Sequence, residues 1–291
     1  MHERLTRPQT ILENFNWQAD FSEITALLER HFGLTGVMPV RQDLYGDYCY
    51  FTGRDAAGRA VFVKWGGSID SCAHEYAYNS RMYALNPQNF NQSLFFRYDD
   101  EIKCLGLEFL DSDNLEDLLH EGRLSLADKV SVARQLVRIG QSLRQGNCMH
   151  RDIKLKNFLY TRDKRLLLVD FQFAVDYEGY AEREAILRDP GSVRHQVFGP
   201  GKMLWDDDYS LLKVLEKLGG PDKDDGADPE AAEYREAYAE AHAYFHGNLG
   251  QRVLRFPRRN WLLFKRRFFK IISLPLPKRS WRIYVQHLWL K

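Results

Sequence analysis

The chain has 291 residues, 44% of them hydrophobic, with 41 Lys and Arg against 40 Asp and Glu and a formal net charge of +1. That length allows a sizeable core in one large domain or two lobes, and so even a balance gives no reason to expect nucleic-acid or membrane binding through overall charge. The balance hides an asymmetry: from Arg252 onward there are twelve Lys or Arg and no Asp or Glu, so an acidic body carries a basic tail.

Cys49, Cys72, Cys104 and Cys148 are scattered, without a CxxC pair or the dense spacing of a secreted disulfide scaffold, and read as reduced, buried thiols in a cytosolic protein. MHERLTRPQTILENF has no apolar core of signal-peptide length, and no run of about eighteen apolar residues occurs. Neither export by that route nor a membrane span is expected.

Residues 10–33 read as a short helical segment ending near Gly33, since Phe21, Ile24, Leu27, Leu28 and Phe32 recur at helical spacing; it is expected to pack on the body as an extension. From Val40 to Val63 the pattern turns extended. YCYFTG, the turn RDAAGR and AVFVKW predict an antiparallel hairpin. DLYGDYCYF offers Gly46 as its one position for close backbone approach to a ligand, and a simple hairpin turn is the plainer alternative. Lys64 closes the apolar strand VFVKW. In SCAHEYAYNSRMYAL, Ala73, Tyr76, Ala77, Ser80 and Tyr83 share one helical face, and Glu75 is the only acid.

Phe95-Phe96 and CLGLEFL supply two more strands, the second ending in Glu108-Phe109-Leu110. Asp113 or Ser112 is the predicted cap of a helix NLEDLLHEG closed by Gly122. LSLADKVSVARQLVRIGQSLRQG predicts a long amphipathic helix with apolar residues at 126, 130, 133, 136, 137 and 143, stopped by Gly146. The stretch CMHRDIKLKNFLY follows, and then the apolar strand LLLVDF ending at Asp170-Phe171. Residues 173–203 carry Gly191, Gly199, Pro200 and Gly201 and read as a substrate-facing loop. DDDYSLLKVLEKL and EAAEYREAYAEAHAYF are helices separated by the polar loop GGPDKDDGADPE.

In the basic tail, helical register puts Trp261, Phe264, Phe268 and Ile272 on one side and spreads Lys265, Arg266, Arg267 and Lys270 over much of the rest. That pattern is expected of an interfacial helix on an anionic membrane. A final helix with a solvated basic face is the plainer alternative, and a nucleic-acid arm a third.

Taken together, His150, Arg151, Asp152, Lys154 and Asn157 resemble the H-R-D-x-K-x-x-N catalytic loop of the protein-kinase superfamily, and Asp170-Phe171 the start of D-F-G. Lys64 resembles the lysine of V-A-I-K, and Glu75 its helical partner. The likeness covers roughly residues 40–220. It implies an α+β, bilobal protein-kinase-like fold: an N-terminal extension over 1–39, a small antiparallel-sheet N-lobe over 40–110, a mainly helical C-lobe over 111–250, and the basic aromatic segment over 251–291.

The same resemblance implies ATP and Mg2+ as cofactors. Asp152 would accept the proton of an incoming hydroxyl and Lys154 would neutralise charge on the transferring phosphoryl group. Asn157 and Asp170 would hold magnesium, and Lys64, paired with Glu75, would reach the α- and β-phosphates. Gly46 would lie in the phosphate-covering loop, and the backbone from Glu108 to Leu110 would pair with adenine. Three departures stand out: one glycine in place of three, Gln172 where D-F-G has glycine, and no A-P-E motif. Asp207, Tyr209 and Ser210 match the D-x-W/Y-S start of a large helix whose aspartate holds the catalytic loop, although the helix dipole alone would favour the same residues.

The short interval between Lys64 and Glu75, the missing A-P-E and the basic aromatic tail resemble the bacterial lipopolysaccharide core kinases, which phosphorylate Kdo or heptose on a lipid-anchored saccharide. That likeness implies a glycolipid or saccharide acceptor and an anionic membrane surface met through the tail. It also implies a cytoplasmic protein peripheral at the inner face of the cell membrane, with no nucleic-acid partner. Lys154 leaves a Ser/Thr protein kinase or soluble small-molecule kinase open. The sparse glycines and Gln172 leave a non-catalytic pseudokinase scaffold open, against which stands the retention of Lys64, Asp152, Asn157 and Asp170.

Overall fold

The computed structural model describes residues 21–42, 48–66, 69–176, 207–220 and 228–253. They form an α+β protein whose chain divides into two compact units, residues 1–123 with 156–174 and residues 124–155 with 175–291.

The first unit is built on a five-stranded antiparallel sheet made from β1 (Thr35–Gln42), β2 (Tyr48–Arg54), β3 (Ala60–Gly66), β4 (Ser93–Tyr98) and β5 (Lys103–Glu108), in the order β1-β2-β3-β5-β4. The predicted hairpin is β2–β3. Its turn is locked by Asp55, whose Oδ1 accepts the backbone N–H groups of Ala57 and Arg59, each at 2.9 Å. Strand alternation then sorts the side chains. Val61 and Val63 enter a core with Phe51 and Cys104, so Phe62 and Lys64 occupy the opposite face.

Of the helical segment predicted over residues 10–33, residues 10–20 lie outside the described residues and the rest contains α1 (Ser22–Phe32), closed by Gly33 in the left-handed region. Leu28 joins the sheet core, and the Phe32 ring stacks on Phe95 with centroids 4.2 Å apart, so the extension does pack on the body. Phe95 in turn lies over Gly106, where an added Cβ would fall 2.3 Å from the ring. Only glycine leaves room for that ring.

α2 (Ile69–Leu85) starts earlier than expected and so includes Asp70 beside Glu75. Its buried face carries Cys72, Glu75, Asn79 and Met82, whereas Ala77, on the face shared by Ala73, Tyr76, Ser80 and Tyr83, is exposed. The inward face is half polar because what it meets is polar, a lysine and the carbonyl and hydroxyl groups of the segment before and within β4.

A second, three-stranded sheet joins β6 (Ser112–Asn114), β8 (Phe158–Thr161) and β9 (Leu166–Leu168). Asn114, rather than Asp113 or Ser112, caps α3 (Leu115–His120), its Oδ1 accepting the Asp117 N–H at 2.9 Å. The Asp113 carboxylate is engaged by Arg123 and Arg162 and the Ser112 hydroxyl donates to the Leu110 carbonyl, which leaves Asn114 to satisfy the helix end. Asn89 Nδ2 donates to the Leu166 carbonyl at 2.7 Å, and the buried Phe90 ring meets Phe171 edge-on at 5.9 Å. Those two residues tie the α2–β4 connection to the strand that leads into Asp170.

The second unit centres on α4 (Leu126–Gln145), which ends at Gly146 as its sequence predicts and is opened by a reciprocal cap between Ser125 and Asp128. Val130, Ala133, Leu136 and Leu143 are buried, while Leu126 and Val137 are only half-buried. α5 (Asp207–Lys217) and α6 (Pro229–Val253) pack against it. The tightest approach is at Gly140, where a Cβ would meet Leu211 and Phe245 at 3.2 and 3.3 Å. β7 (Cys148–Met149) pairs antiparallel with β10 (Val175–Asp176). Of the four cysteines, all free thiols, Cys49 is half-buried and the others are buried as expected; burial pushes the Cys104 thiol up to about 12. Among the described residues no helix is long and apolar enough to cross a membrane.

Candidate active site

In the first unit the structure brings Lys64, Glu75 and Asp170 together. Lys64 Nζ lies 2.7 and 2.9 Å from the two Glu75 carboxylate oxygens and 3.0 Å from Asp170 Oδ1. Each is aimed by its own element: strand alternation turns Lys64 away from the Val61–Val63 core, and the α2 register turns Glu75 inward. Asp170 sits at φ 74, a left-handed conformation that a non-glycine residue adopts at some cost.

The electrostatics of this cluster are unbalanced. Burial alone would push the Lys64 ammonium down, but the carboxylates of Asp170 and Glu75 together hold it well above its ordinary range. Burial raises the Glu75 carboxyl, Lys64 opposes that, and Asp170 raises it further. Two carboxylates therefore meet the Lys64 ammonium, and Asp170 is the more accessible of the two. Side-chain exposure is 3% for Glu75 and 24% for Asp170. Among the described residues no group of three or more His, Cys, Asp or Glu forms a ready-made metal cage. A hard divalent cation carried on a triphosphate needs only one or two protein oxygens, and Asp170 fits that demand.

Asn157 is buried beside the strand leading to Asp170; its backbone carbonyl accepts the Val169 N–H at 3.0 Å. At the end of β5, the Glu108 carbonyl already accepts from Asn91 Nδ2 at 3.0 Å, and the Glu108 N–H donates to Gln92. The Leu110 N–H has no protein partner among the described residues, so the segment keeps one backbone donor for a ligand. Sequence reasoning missed Asn79 and Asn91. The available signal was the density of amides in NPQNFNQS, a connection too short to leave them all in solvent.

The second unit holds Asp152 and Lys154. Asp152 is buried and its Oδ2 accepts from Lys154 Nζ at 2.6 Å. The loop around it is fixed from α5: Asp207 accepts the backbone N–H groups of His150 and Arg151, the latter at 3.1 Å. Asp207 is thus a hydrogen-bonding anchor as well as a helix-terminal charge. Arg151, at φ 67, is the other motif residue held in the left-handed region. Gln172 lies in a 3-10 turn (Phe171–Phe173) without positive φ, so the glycine of D-F-G is not needed here for backbone reasons. Gly46, most of the segment 174–203 and the basic tail beyond Val253 lie outside the described residues.

Residues 78–190 match the family model of the protein kinase domain, a span of under half the chain that contains Asp152, Lys154, Asn157 and Asp170 but neither Lys64 nor Glu75. No curated protein is significantly similar to the chain. The match supports a protein-kinase-like superfamily and a phosphotransferase of some kind, and with the α+β architecture it gives a kinase-like fold.

Proposed function

We propose that the chain is an ATP-dependent kinase that transfers the γ-phosphate to a hydroxyl of a lipid-anchored saccharide at the cytoplasmic face of a membrane. The observation that supports the kinase reading is the Lys64–Glu75–Asp170 cluster, in which a buried lysine and glutamate meet a more accessible carboxylate. Lys64 grips the α- and β-phosphates, while Asp170 and Asn157 present oxygens to the metal. Magnesium, when bound, supplies charge neutralisation to the triphosphate. Asp152 takes the proton of the attacking hydroxyl as its oxygen bonds to the γ-phosphorus. The bond from that phosphorus to the β–γ bridging oxygen breaks, ADP leaves, and Lys154 offsets charge on the moving phosphoryl group.

The saccharide acceptor rests on the resemblance to lipopolysaccharide core kinases carried by three sequence features: the eleven-residue interval from Lys64 to Glu75, the absence of A-P-E, and the basic aromatic tail, which would hold a peripheral enzyme beside lipid-anchored substrate. The protein-kinase-domain match and Lys154 favour a second reading, phosphorylation of protein. Incubating the full-length protein with labelled ATP, magnesium and a lipid-plus-protein extract separates the two. Label on glycolipid supports the saccharide acceptor, label on polypeptide the protein one. Label no greater than that given by Asp152→Ala would point to a non-catalytic scaffold.

A further inference from the structure

The V-A-I-K pattern carries alanine two residues before its lysine, where the strand leaves open space on the lysine's face. Here that position is Phe62. Strand alternation puts it on the same face as Lys64; across on β2 it is paired with Thr52, and Tyr50, paired with Lys64, is its diagonal neighbour. The rings are packed against one another: Tyr50 and Phe62 have centroids 5.6 Å apart and planes 17° apart, and Tyr48 and Tyr50 are 6.2 Å and 22° apart. At 5.6 Å and 17° the Tyr50 and Phe62 rings are offset, near-parallel neighbours on one face of the sheet.

The register shows what those rings stand in the way of. Lys64 is paired across to Leu105, Phe62 to Leu107 and Val61 to Glu108. A nucleotide with its phosphates on Lys64 and its base edge toward Glu108 and Leu110 must lay that base along the face from which Phe62 projects. Alanine would leave a flat seat there. Phe62, half-buried and with its ring centroid 5.6 Å from that of Tyr50, projects from the same face.

We propose that Phe62, braced by Tyr50, occupies the base seat of the donor site, so that the donor is selected through its phosphates and metal and the identity of its base contributes little. This rests on the nucleotide reading above and adds its specificity: the ligand class is a magnesium-bound polyphosphate with a loosely held base. Truncating Phe62 should open the seat and bring the free Leu110 N–H within use.

The test is equilibrium binding of the magnesium complexes of ATP, GTP and tripolyphosphate to the full-length protein, Phe62→Ala and Phe62→Val, with thermal melting to show that each is folded. Wild type should bind ATP and GTP within about threefold of each other and tripolyphosphate within about tenfold of both. The variants should gain about tenfold in ATP affinity, from one buried base-edge hydrogen bond and its stacking area, with tripolyphosphate unchanged. A folded variant that loses ATP affinity, or fails to gain it, would mean that the ring supports the base rather than displacing it. A wild-type preference for ATP over GTP above about thirtyfold would overturn the proposal whether or not the variants fold. Absence of binding by all three proteins to all three probes would instead remove the nucleotide reading on which it rests.

Discussion

Asn79 donates to the backbone carbonyl of Asn91 at 2.8 Å, one turn beyond Glu75 on the buried face of α2. The same amide reaches Ser93 Oγ at 2.9 Å, and Asn91 passes the connection on to the Glu108 carbonyl. The helix that presents the ion-pair carboxylate is therefore fastened to the end of β5 by side-chain amides rather than by apolar packing alone. Replacing Asn79 with Leu keeps the volume and takes the donor from one buried carbonyl and one part-buried hydroxyl. The expected loss is about 1–3 kcal/mol of unfolding free energy, read as a lower urea midpoint at unchanged slope.

Lys64→Met should produce a pH-dependent defect. In the wild-type fold burial raises the Glu75 carboxyl above its ordinary 4.5, so the folded chain holds that proton more tightly than the unfolded one. Stability from this group is therefore present at low pH and declines as pH rises through the raised value. Removing the ammonium takes away the one influence that lowers Glu75. Thermal melts should show a deficit of about 3–5 kcal/mol at pH 8 that narrows by pH 5, and adding Glu75→Gln should narrow it at pH 8 as well. A deficit independent of pH would mean that Glu75 stays ionised without its partner.

Gly106→Ala places a methyl group into the Phe95 ring, which is also stacked on Phe32 of α1. It should cost about 1–3 kcal/mol by overpacking, and Phe95→Leu should relieve part of it, making the double variant more stable than the sum of the single changes. Additive losses would indicate that the ring moves aside freely.

Much of this was legible from residue order alone, but unevenly. Lys64, Glu75 and Asp170 were singled out by their likeness to kinase motifs and do lie together, and α4 was legible from its apolar spacing and the Gly146 stop. The buried face of α2 was not legible from periodicity, which detects apolar partners, because this helix buries Glu75 and Asn79 against polar ones. The cap of α3 was displaced by one or two residues because Arg123, ten positions away, claims Asp113. Phe62 passed as one more apolar strand residue. Only pairing with β2 shows it stacked on Tyr50 beside the lysine.

If the tail holds the protein at a membrane, removing residues 254–291, which leaves α6 whole, should release it from anionic vesicles in sedimentation while leaving neutral vesicles unaffected. Equal sedimentation of full-length and truncated protein would assign the basic aromatic stretch to another role.

Phosphoryl transfer itself is measured most directly by following labelled γ-phosphate from magnesium ATP into the extract's acceptor with wild type, Asp152→Ala and Asp170→Asn side by side. Loss of the base and of the metal carboxylate should each lower the initial rate by about 10²–10⁴-fold while the thermal transition stays within a few degrees of wild type. Transfer by either variant at the wild-type rate would contradict the assignment of Asp152 and Asp170 to a shared phosphotransferase chemistry.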